Sequence, residues 1–309
     1  MSDDAARPII GINWGSSNFR AYLIDAGGAA VDLVERPAGI AALDRPQMQA
    51  LVQEIAGRWP EARRLYACGM VGSNIGWSDA GYLDCPATPA ALARQLHHVT
   101  VGEVPVAIVP GLACRRAGDD APDIMRGEET ELLGLIDAGR VPGDGLVALP
   151  GTHSKWIGLR EGAVVEFLTA MSGEIFDRLT AAGLLASVVD GPAREDEIFD
   201  QAVRMGHGSG MGLGSLLFGA RARVIRGDLR RDQGASWVRG VLMGAELADV
   251  ARLWPDAWAR VVPLVGAGPV CALYARALAV VGGKGEATAS QDAVTRGFLA
   301  LDRAAGALA

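Results

Sequence analysis

The opening of the chain changes its apolar rhythm three times. Residues 9–14 are almost continuously apolar and stop at Gly15-Ser16-Ser17-Asn18. Residues 19–25 then alternate with the period of a half-buried strand, Gly27-Gly28 marks a second turn, and 29–35 reads as a third strand. This predicts an antiparallel meander of three strands. Residues 47–59 repeat apolar positions at helical spacing until Pro60 stops them. The short apolar runs 65–68 and 106–109 fit strands buried on both faces of a parallel sheet.

The same order then recurs. Residues 127–137 read as a helix, 146–149, 155–159 and 163–169 as a second meander, and 173–182 as the helix after it. Several helices are expected between 195 and 253, of which 237–253 is the clearest, followed by a strand at 261–265 and helices at 269–281 and 291–305. Two units of meander followed by α/β structure predict a duplicated architecture with a cleft between the units. The polar stretch 115–123, with Gly118 and Pro122, is the expected boundary, giving units 1–117 and 118–309, with the last helix free to pack back on the first. A chain of 309 residues, half of them apolar, exceeds the size at which one core stops growing.

Composition narrows the function. No apolar run approaches the roughly 20 residues of a membrane helix, and the polar, acidic segment 1–7 lacks the plan of a signal peptide. A cytoplasmic protein without a membrane partner is expected. The net charge of −7, with no basic run, argues against nucleic-acid binding. Cys68, Cys85, Cys114 and Cys271 are scattered without a CxxC pair, so free buried thiols are expected rather than a zinc site or disulfides. His97 and His98 are adjacent and cannot share a helical face as a metal pair. Gly282-Gly283-Lys284-Gly285 lacks P-loop spacing, and the glycine-rich 206–214 has no strand before it.

Five segments carry candidate chemistry. A tight strand-turn-strand at Gly15, Ser16 and Ser17 aims backbone N–H groups and hydroxyls outward, as an anion site requires, and equally describes an ordinary hairpin. The second meander repeats that plan at Pro150-Gly151-Thr152-His153-Ser154-Lys155, and two such turns across a cleft could hold a triphosphate, with Lys155 either neutralising it or solvated. Gly266-Ala267-Gly268, between a strand and a helix, lets a ring or ribose lie on the backbone. In Arg126-Gly127-Glu128-Glu129-Thr130, a carboxylate at a helix start complements the helix dipole or accepts a proton from an attacking hydroxyl, while Arg126 suits a substrate carboxylate or phosphate. The loop with Gly72, Ser73, Asn74 and Trp77 offers polar groups and an aromatic wall to a polar substrate.

Together these segments resemble the sugar-kinase, chaperone-ATPase and actin superfamily, and within it the 2-dehydro-3-deoxygalactonokinase family. The likeness is carried by residues 13–21, 69–77, 125–134, 150–156 and 169–174, in family order, and is weak between 194 and 231. It implies an α/β fold of two ribonuclease H-like domains, the actin-like ATPase fold, with ATP in the interdomain cleft. It further implies transfer of phosphate from ATP, with Mg²⁺, to the 6-hydroxyl of 2-dehydro-3-deoxy-D-galactonate. Gly15, Ser16, Ser17, Gly151, Thr152 and Lys155 fall on its phosphate loops and Gly266, Ala267 and Gly268 on its adenosine loop. Glu128 occupies the place of its catalytic carboxylate, with Glu129 the alternative. The superfamily usually has Asp where this chain has Asn13, a residue that holds the waters of Mg²⁺; Asn keeps an oxygen but loses the charge. A kinase for another sugar or sugar acid, an ATP-binding regulator of the same fold, and a homodimer all stay open.

Overall fold

The computed structural model describes residues 6–307, so most of the acidic N-terminal segment, at 1–5, lies outside the described residues. The first half carries β1 (Ile9–Trp14), β2 (Phe19–Ile24), β3 (Ala30–Arg36), α1 (Arg45–Arg58), β4 (Leu65–Gly69), β5 (Tyr82–Asp84), α2 (Pro89–Arg94), β6 (His97–Val101), β7 (Val104–Ile108), β8 (Gly111–Arg115) and β9 (Pro122–Met125). Then follow α3 (Glu128–Asp137), β10 (Gly145–Leu149), β11 (Ser154–Arg160), β12 (Ala163–Ala170), α4 (Ser172–Ala181), α5 (Glu197–Gly208), α6 (Leu213–Arg226), α7 (Gly234–Leu253), β13 (Val262–Leu264), α8 (Gly268–Val280), β14 (Gly285–Ala287) and α9 (Ala293–Gly306).

Both predicted meanders form, and each seeds a sheet. The first sheet has the order β3-β2-β1-β4-β7-β6, with β1 antiparallel to β2 and parallel to β4. The second has the order β12-β11-β10-β13-β14, with β10 antiparallel to β11 and parallel to β13. In each, the strand at the antiparallel-to-parallel switch, β1 or β10, ends in a glycine-hydroxyl turn. Loops leaving such a switch diverge and open a crevice beyond the strand ends.

Burial explains why the chain closes around these sheets. Ile9, Ile24 and Tyr66 of the first sheet share one apolar core with Val147, Ile157 and Phe167 of the second, and Leu132 of α3 and Phe298 of α9 complete it. The first sheet's other face packs Ile12, Trp14 and Phe19 on Met48, Leu51 and Ile55 of α1. Helix α1 starts where it does because Asp44 and Gln47 cap each other's backbone N–H groups at 2.9 Å, a box worth about 1 kcal/mol. The second sheet's outer face packs Trp156 and Leu264 on Phe199, Val250 and Tyr274. The helices at α4–α7 enclose a further core around Leu216, Trp237 and Val241. No helix among the described residues is long and apolar enough to cross a membrane.

The pattern of residues did not reveal a third sheet, β5-β8-β9. The polar stretch expected as a boundary is the turn between β8 and β9. Arg116 N–H donates to Ala121 O at 3.0 Å, and its guanidinium is held by Asp119 and Asp123. Its strands alternate too little to announce themselves, since β5 and β9 are only half covered.

Helix α9, last in the chain, lies on the first sheet. Its buried Asp302 pairs with Arg63 and accepts from Tyr66 OH at 2.9 Å. It also crosses α3 at backbone contact: a Cβ on Gly134 would fall 1.7 Å from Ala293 O, and one on Gly297 1.8 Å from Thr130 O. Gly134→Ala should therefore cost about 3 kcal/mol, the upper part of the usual overpacking range, as measured by denaturant unfolding. Gly57→Ala, in an exposed helical position with nothing within 4 Å, should be neutral or stabilising. Equal effects of the two would remove the α3–α9 contact as a determinant of stability.

Candidate active site

The first turn is closed by Gly15 N–H donating to Asn18 O at 2.9 Å. A 3-10 turn at Ile40–Ala42 backs it, with Ile40 N–H donating to Gly15 O at 3.1 Å and Ala41 N–H to Ser16 O at 3.2 Å. Gly39 permits this approach, since a Cβ there would lie 2.1 Å from Ser16 O. The turn's carbonyls are thus occupied from behind, while Ser16 and Ser17 stay exposed and line a concavity of about 230 Å³ with Asn13, Gly15, Asn18 and Arg20.

A second concavity of about 210 Å³ adjoins it, lined by Asn13, Gly15, Gly69, Met70, Arg126, Gly127, Glu128 and Glu131. Gly127 turns the chain from β9 into α3 with φ of 107°, a conformation that L side chains rarely adopt. Arg126 is the outstanding group here. Its side chain is only 5% exposed and lies 4.4 Å over the Tyr82 ring, and Nη2 donates to Gly81 O at 2.9 Å. Its Nε and Nη1 are buried without a partner. Leaving buried donors unpaired costs about 1–3 kcal/mol each, so these two nitrogens hold unmet hydrogen-bonding capacity beside the cavity.

The start of α3 sorts its three carboxylates by direction. Glu128 lines the cavity and accepts from Arg126 N–H at 3.1 Å. Glu129, the alternative candidate, is 1% exposed, points into the protein, and accepts from Gly127 N–H at 2.5 Å and Thr130 Oγ1 at 3.1 Å. Burial, then the charge of Glu128, pushes its carboxyl up to about 8, so it carries a proton at neutral pH. Glu131, one turn on and facing the cavity, is pushed up to about 7 by the same two causes.

The second turn is anchored differently. Gly151 N–H reaches Ser154 Oγ at 3.4 Å, Ser154 Oγ bonds Tyr274 OH at 2.7 Å, and the Tyr274 hydroxyl and Trp156 Nε1–H meet the buried Glu246 carboxyl at 2.9 and 2.6 Å. The start of α4 presses on the turn from its other side: Glu174 N–H donates to Thr152 O at 2.9 Å, and a Cβ on Gly173 would lie 2.3 Å from Gly151 O. Gly266 also approaches the turn, its Cβ position 2.8 Å from Pro150 O, so the exposed Gly266-Ala267-Gly268 turn sits beside the exposed Gly151 and Thr152.

Some candidates lie elsewhere. Lys155 is 5% exposed and donates to Thr169 Oγ1 at 2.8 Å, which in turn donates to Asp123. Strand alternation explains this: Ser154 and Trp156 face the helices, so Lys155 faces β9. It braces the strand that leads to Arg126 and is neither solvated nor at the turn. The Trp77 ring packs against the core beneath α1, under the Arg45 guanidinium at 4.5 Å, and does not line the cavities at the first turn. Ser73 is buried with Oγ donating to Met70 O at 2.7 Å, and Asn74 is exposed outside the cavity lining. Gly72 lies behind the guanidinium, its Cβ position 3.0 Å from Arg126 Nη1. Gly69, Met70, Tyr82 and Glu131 were missed, as was a pair on the second turn, His153 Nε2 to Glu174 Oε2 at 2.6 Å, which holds the Glu174 carboxyl below its usual range. Only the Glu131 position, one helical turn from Glu128, could have been read from spacing.

Two sheets built on the same meander, each ending in a glycine-hydroxyl turn and joined through one core, define the actin-like ATPase fold of two ribonuclease H-like halves. Residues 13–301 match the family described as 2-keto-3-deoxy-galactonokinase, and the chain belongs to that family. It is 33% identical over 299 residues to the Rhizobium meliloti (strain 1021) protein named "Probable 2-dehydro-3-deoxygalactonokinase DgoK1", covering 95% of this chain and 96% of that one. It is 31% identical over 296 residues to the 2-dehydro-3-deoxygalactonokinase of Escherichia coli (strain K12), covering 96% and 97%. A crystal structure of a Sinorhizobium meliloti protein, provisionally assigned as a 2-dehydro-3-deoxygalactonokinase, superposes with a TM-score of 0.84 at 31% identity, covering 97% of this chain and 99% of the other.

The buried proton on Glu129 has a measurable consequence. Its folded pKa of about 8 lies above the ordinary glutamate value of 4.5, so the folded state binds a proton that the unfolded chain releases. Its contribution is full below the unfolded pKa and is lost as pH rises towards 8. In metal-free buffer, Glu129→Gln should flatten the fall in melting temperature between pH 5 and 8. A variant that tracks the wild type across that range would mean Glu129 ionises normally.

Proposed function

We propose that the protein transfers the γ-phosphate of ATP to the 6-hydroxyl of 2-dehydro-3-deoxy-D-galactonate, a cytoplasmic step of galactonate catabolism. The observation that carries this reading is Arg126. Arg126 lines the same cavity as the first turn and Glu128, and two nitrogens of its buried guanidinium have no partner. A sugar-acid carboxylate is the anion that would satisfy it, and its burial makes that recognition strong. The names of the relatives point the same way.

In this reading Gly15, Ser16 and Ser17 hold phosphate on one side and Gly151 and Thr152 on the other. Gly266, Ala267 and Gly268 carry the adenosine. The 6-hydroxyl oxygen forms its bond to the γ-phosphorus as the bond from that phosphorus to the β–γ bridging oxygen breaks, and ADP leaves with the electron pair. Glu128 orients the hydroxyl and takes its proton. Exclusion of water keeps ATP from being hydrolysed.

Mg²⁺ fits these residues in one way only. Among the described residues no three His, Cys, Asp or Glu side chains gather as a metal cage. A Mg²⁺ ion keeps several waters and takes one or two protein oxygens plus phosphates, and Asn13 at the cavity wall offers such an oxygen. When bound, the ion would neutralise charge on the transferred phosphate.

The reading is tested by ADP release with 2-dehydro-3-deoxygalactonate, its C4 epimer and other sugar acids. Release should depend on the acid and be fastest with the galactonate compound; nucleotide binding with no acid-dependent release would instead favour a regulator of this fold. Glu128→Ala should lower kcat at least 100-fold with ATP binding retained. Arg126→Gln should raise the KM for the acid by about 30-fold or more, the equivalent of a charged hydrogen bond of about 2 kcal/mol, with the KM for ATP little changed. Unchanged turnover in the first variant would move the base elsewhere, and an unchanged acid KM in the second would release Arg126 from substrate binding.

A further inference from the structure

The cavity beside the first turn has four polar side chains: Asn13, Arg126, Glu128 and Glu131. Glu128 is engaged by Arg126 N–H. Glu131 makes no hydrogen bond or ion pair to any described residue. It stands one helical turn beyond Glu128, on the face of α3 that meets the cavity. The sheet register places it further. Asn13 is opposite Arg20 on one neighbouring strand and Cys68 on the other. Burial above all, and then charges that include those of Arg20, Cys68 and Glu131, act on Tyr22, two residues along β2 from Arg20. Glu131 and Asn13 line the same cavity.

A carboxyl that no described residue engages in that place is free to meet a cation, which would favour its charged form. A few residues away the cavity holds its converse: a guanidinium, 5% exposed, with two nitrogens that have no acceptor. A carboxylate with no partner among the described residues, and a guanidinium that has two free nitrogens beside its contacts to Gly81 O and Asp79, fit an occupant that brings both signs, such as a metal–nucleotide together with an acidic substrate. The neutral Asn13 cannot supply the negative charge at the turn itself, and a hard divalent ion favours charged oxygens.

We propose that Glu131, reaching across from α3, supplies the negative charge that holds Mg²⁺ on the nucleotide at the first turn, in place of a carboxylate at position 13. Asn13 contributes its amide oxygen and Glu131 the charge. The position of the carboxylate has moved from the strand end to the helix, while the net charge of the pair stays at one. The inference rests on the kinase reading.

The test is calorimetric binding of ADP and ATP, in EDTA and across a Mg²⁺ titration, to the wild type, Glu131→Gln, Asn13→Asp and the double variant. Both substitutions are nearly isosteric, and thermal melts confirm that each variant is folded. In the wild type Mg²⁺ should tighten nucleotide binding. Glu131→Gln should lose about 10- to 100-fold of that tightening while its affinity in EDTA is unchanged. The double variant, which returns one carboxylate to the turn, should regain most of the loss. Full tightening in Glu131→Gln overturns the proposal, and so does a double variant as weak as Glu131→Gln. Nucleotide that binds the wild type equally with and without Mg²⁺ overturns this proposal alone. A wild type that binds no nucleotide under either condition overturns the kinase reading as well.

Discussion

The contact on which the site depends is the crossing of α3 and α9. Gly134 and Gly297 let the two helix backbones touch, and no side chain fits at either place. α9 is fixed to the first sheet by the Arg63–Asp302 pair, by Tyr66, and by Thr295 Oγ1 donating to Gly28 O at 2.8 Å. The first turn of α3 carries Glu128 and Glu131, with Arg126 just before it. A helix from the end of the chain therefore sets how far those charges stand from Asn13 at the end of β1. Because packed backbones do not deform continuously, that spacing has few alternatives.

The placement also explains the charge pattern around α3. Three carboxylates in one first turn repel each other, and the helix dipole offsets only part of that. The fold separates them by direction instead. Glu129 turns inward and keeps its proton, which removes one charge; burial and the charge of Glu128 outweigh the hydrogen bonds it accepts from Gly127 N–H and Thr130 Oγ1. Its role is to hold the turn through which the chain delivers Arg126. Glu128 and Glu131 remain beside the cavity, where an incoming ligand can respond to them.

The two meanders, the parallel strands behind them and the two glycine-hydroxyl turns were legible because each is a local pattern ending at a glycine or proline. The third sheet was not, since β5, β8 and β9 are short and partly polar, and β5 pairs with β8 across the intervening α2, β6 and β7. Direction was the other loss. A motif such as Gly151 to Lys155 names residue types, but the register of β11 decides that Ser154 turns to Tyr274 and Lys155 to Thr169. Neighbouring Glu128 and Glu129 differ by about 100° around the helix, enough to send one to the cavity and one to the core. Arg126 was found by its type, whereas its burial and its two unpaired nitrogens came only from the structure.

What most constrains the two turns is the set of glycines packed on them from neighbouring segments. Gly39 sits on Ser16 O, Gly173 on Gly151 O and Gly266 on Pro150 O, each close enough that a Cβ would collide with backbone. Support from behind occupies carbonyls of both turns and leaves Ser16, Ser17 and Thr152 exposed. The second turn gains a further tie through Ser154, Tyr274 and Glu246, a buried chain in which the carboxyl, raised by desolvation, is met by Trp156 and Tyr274. An anion site made mostly of backbone has little charge of its own, so charge must come from the flanks. On the first side it comes from α3 and Arg126, and on the second from the His153–Glu174 pair. The turns shape the pocket, and the elements packed beside them decide what charge it accepts.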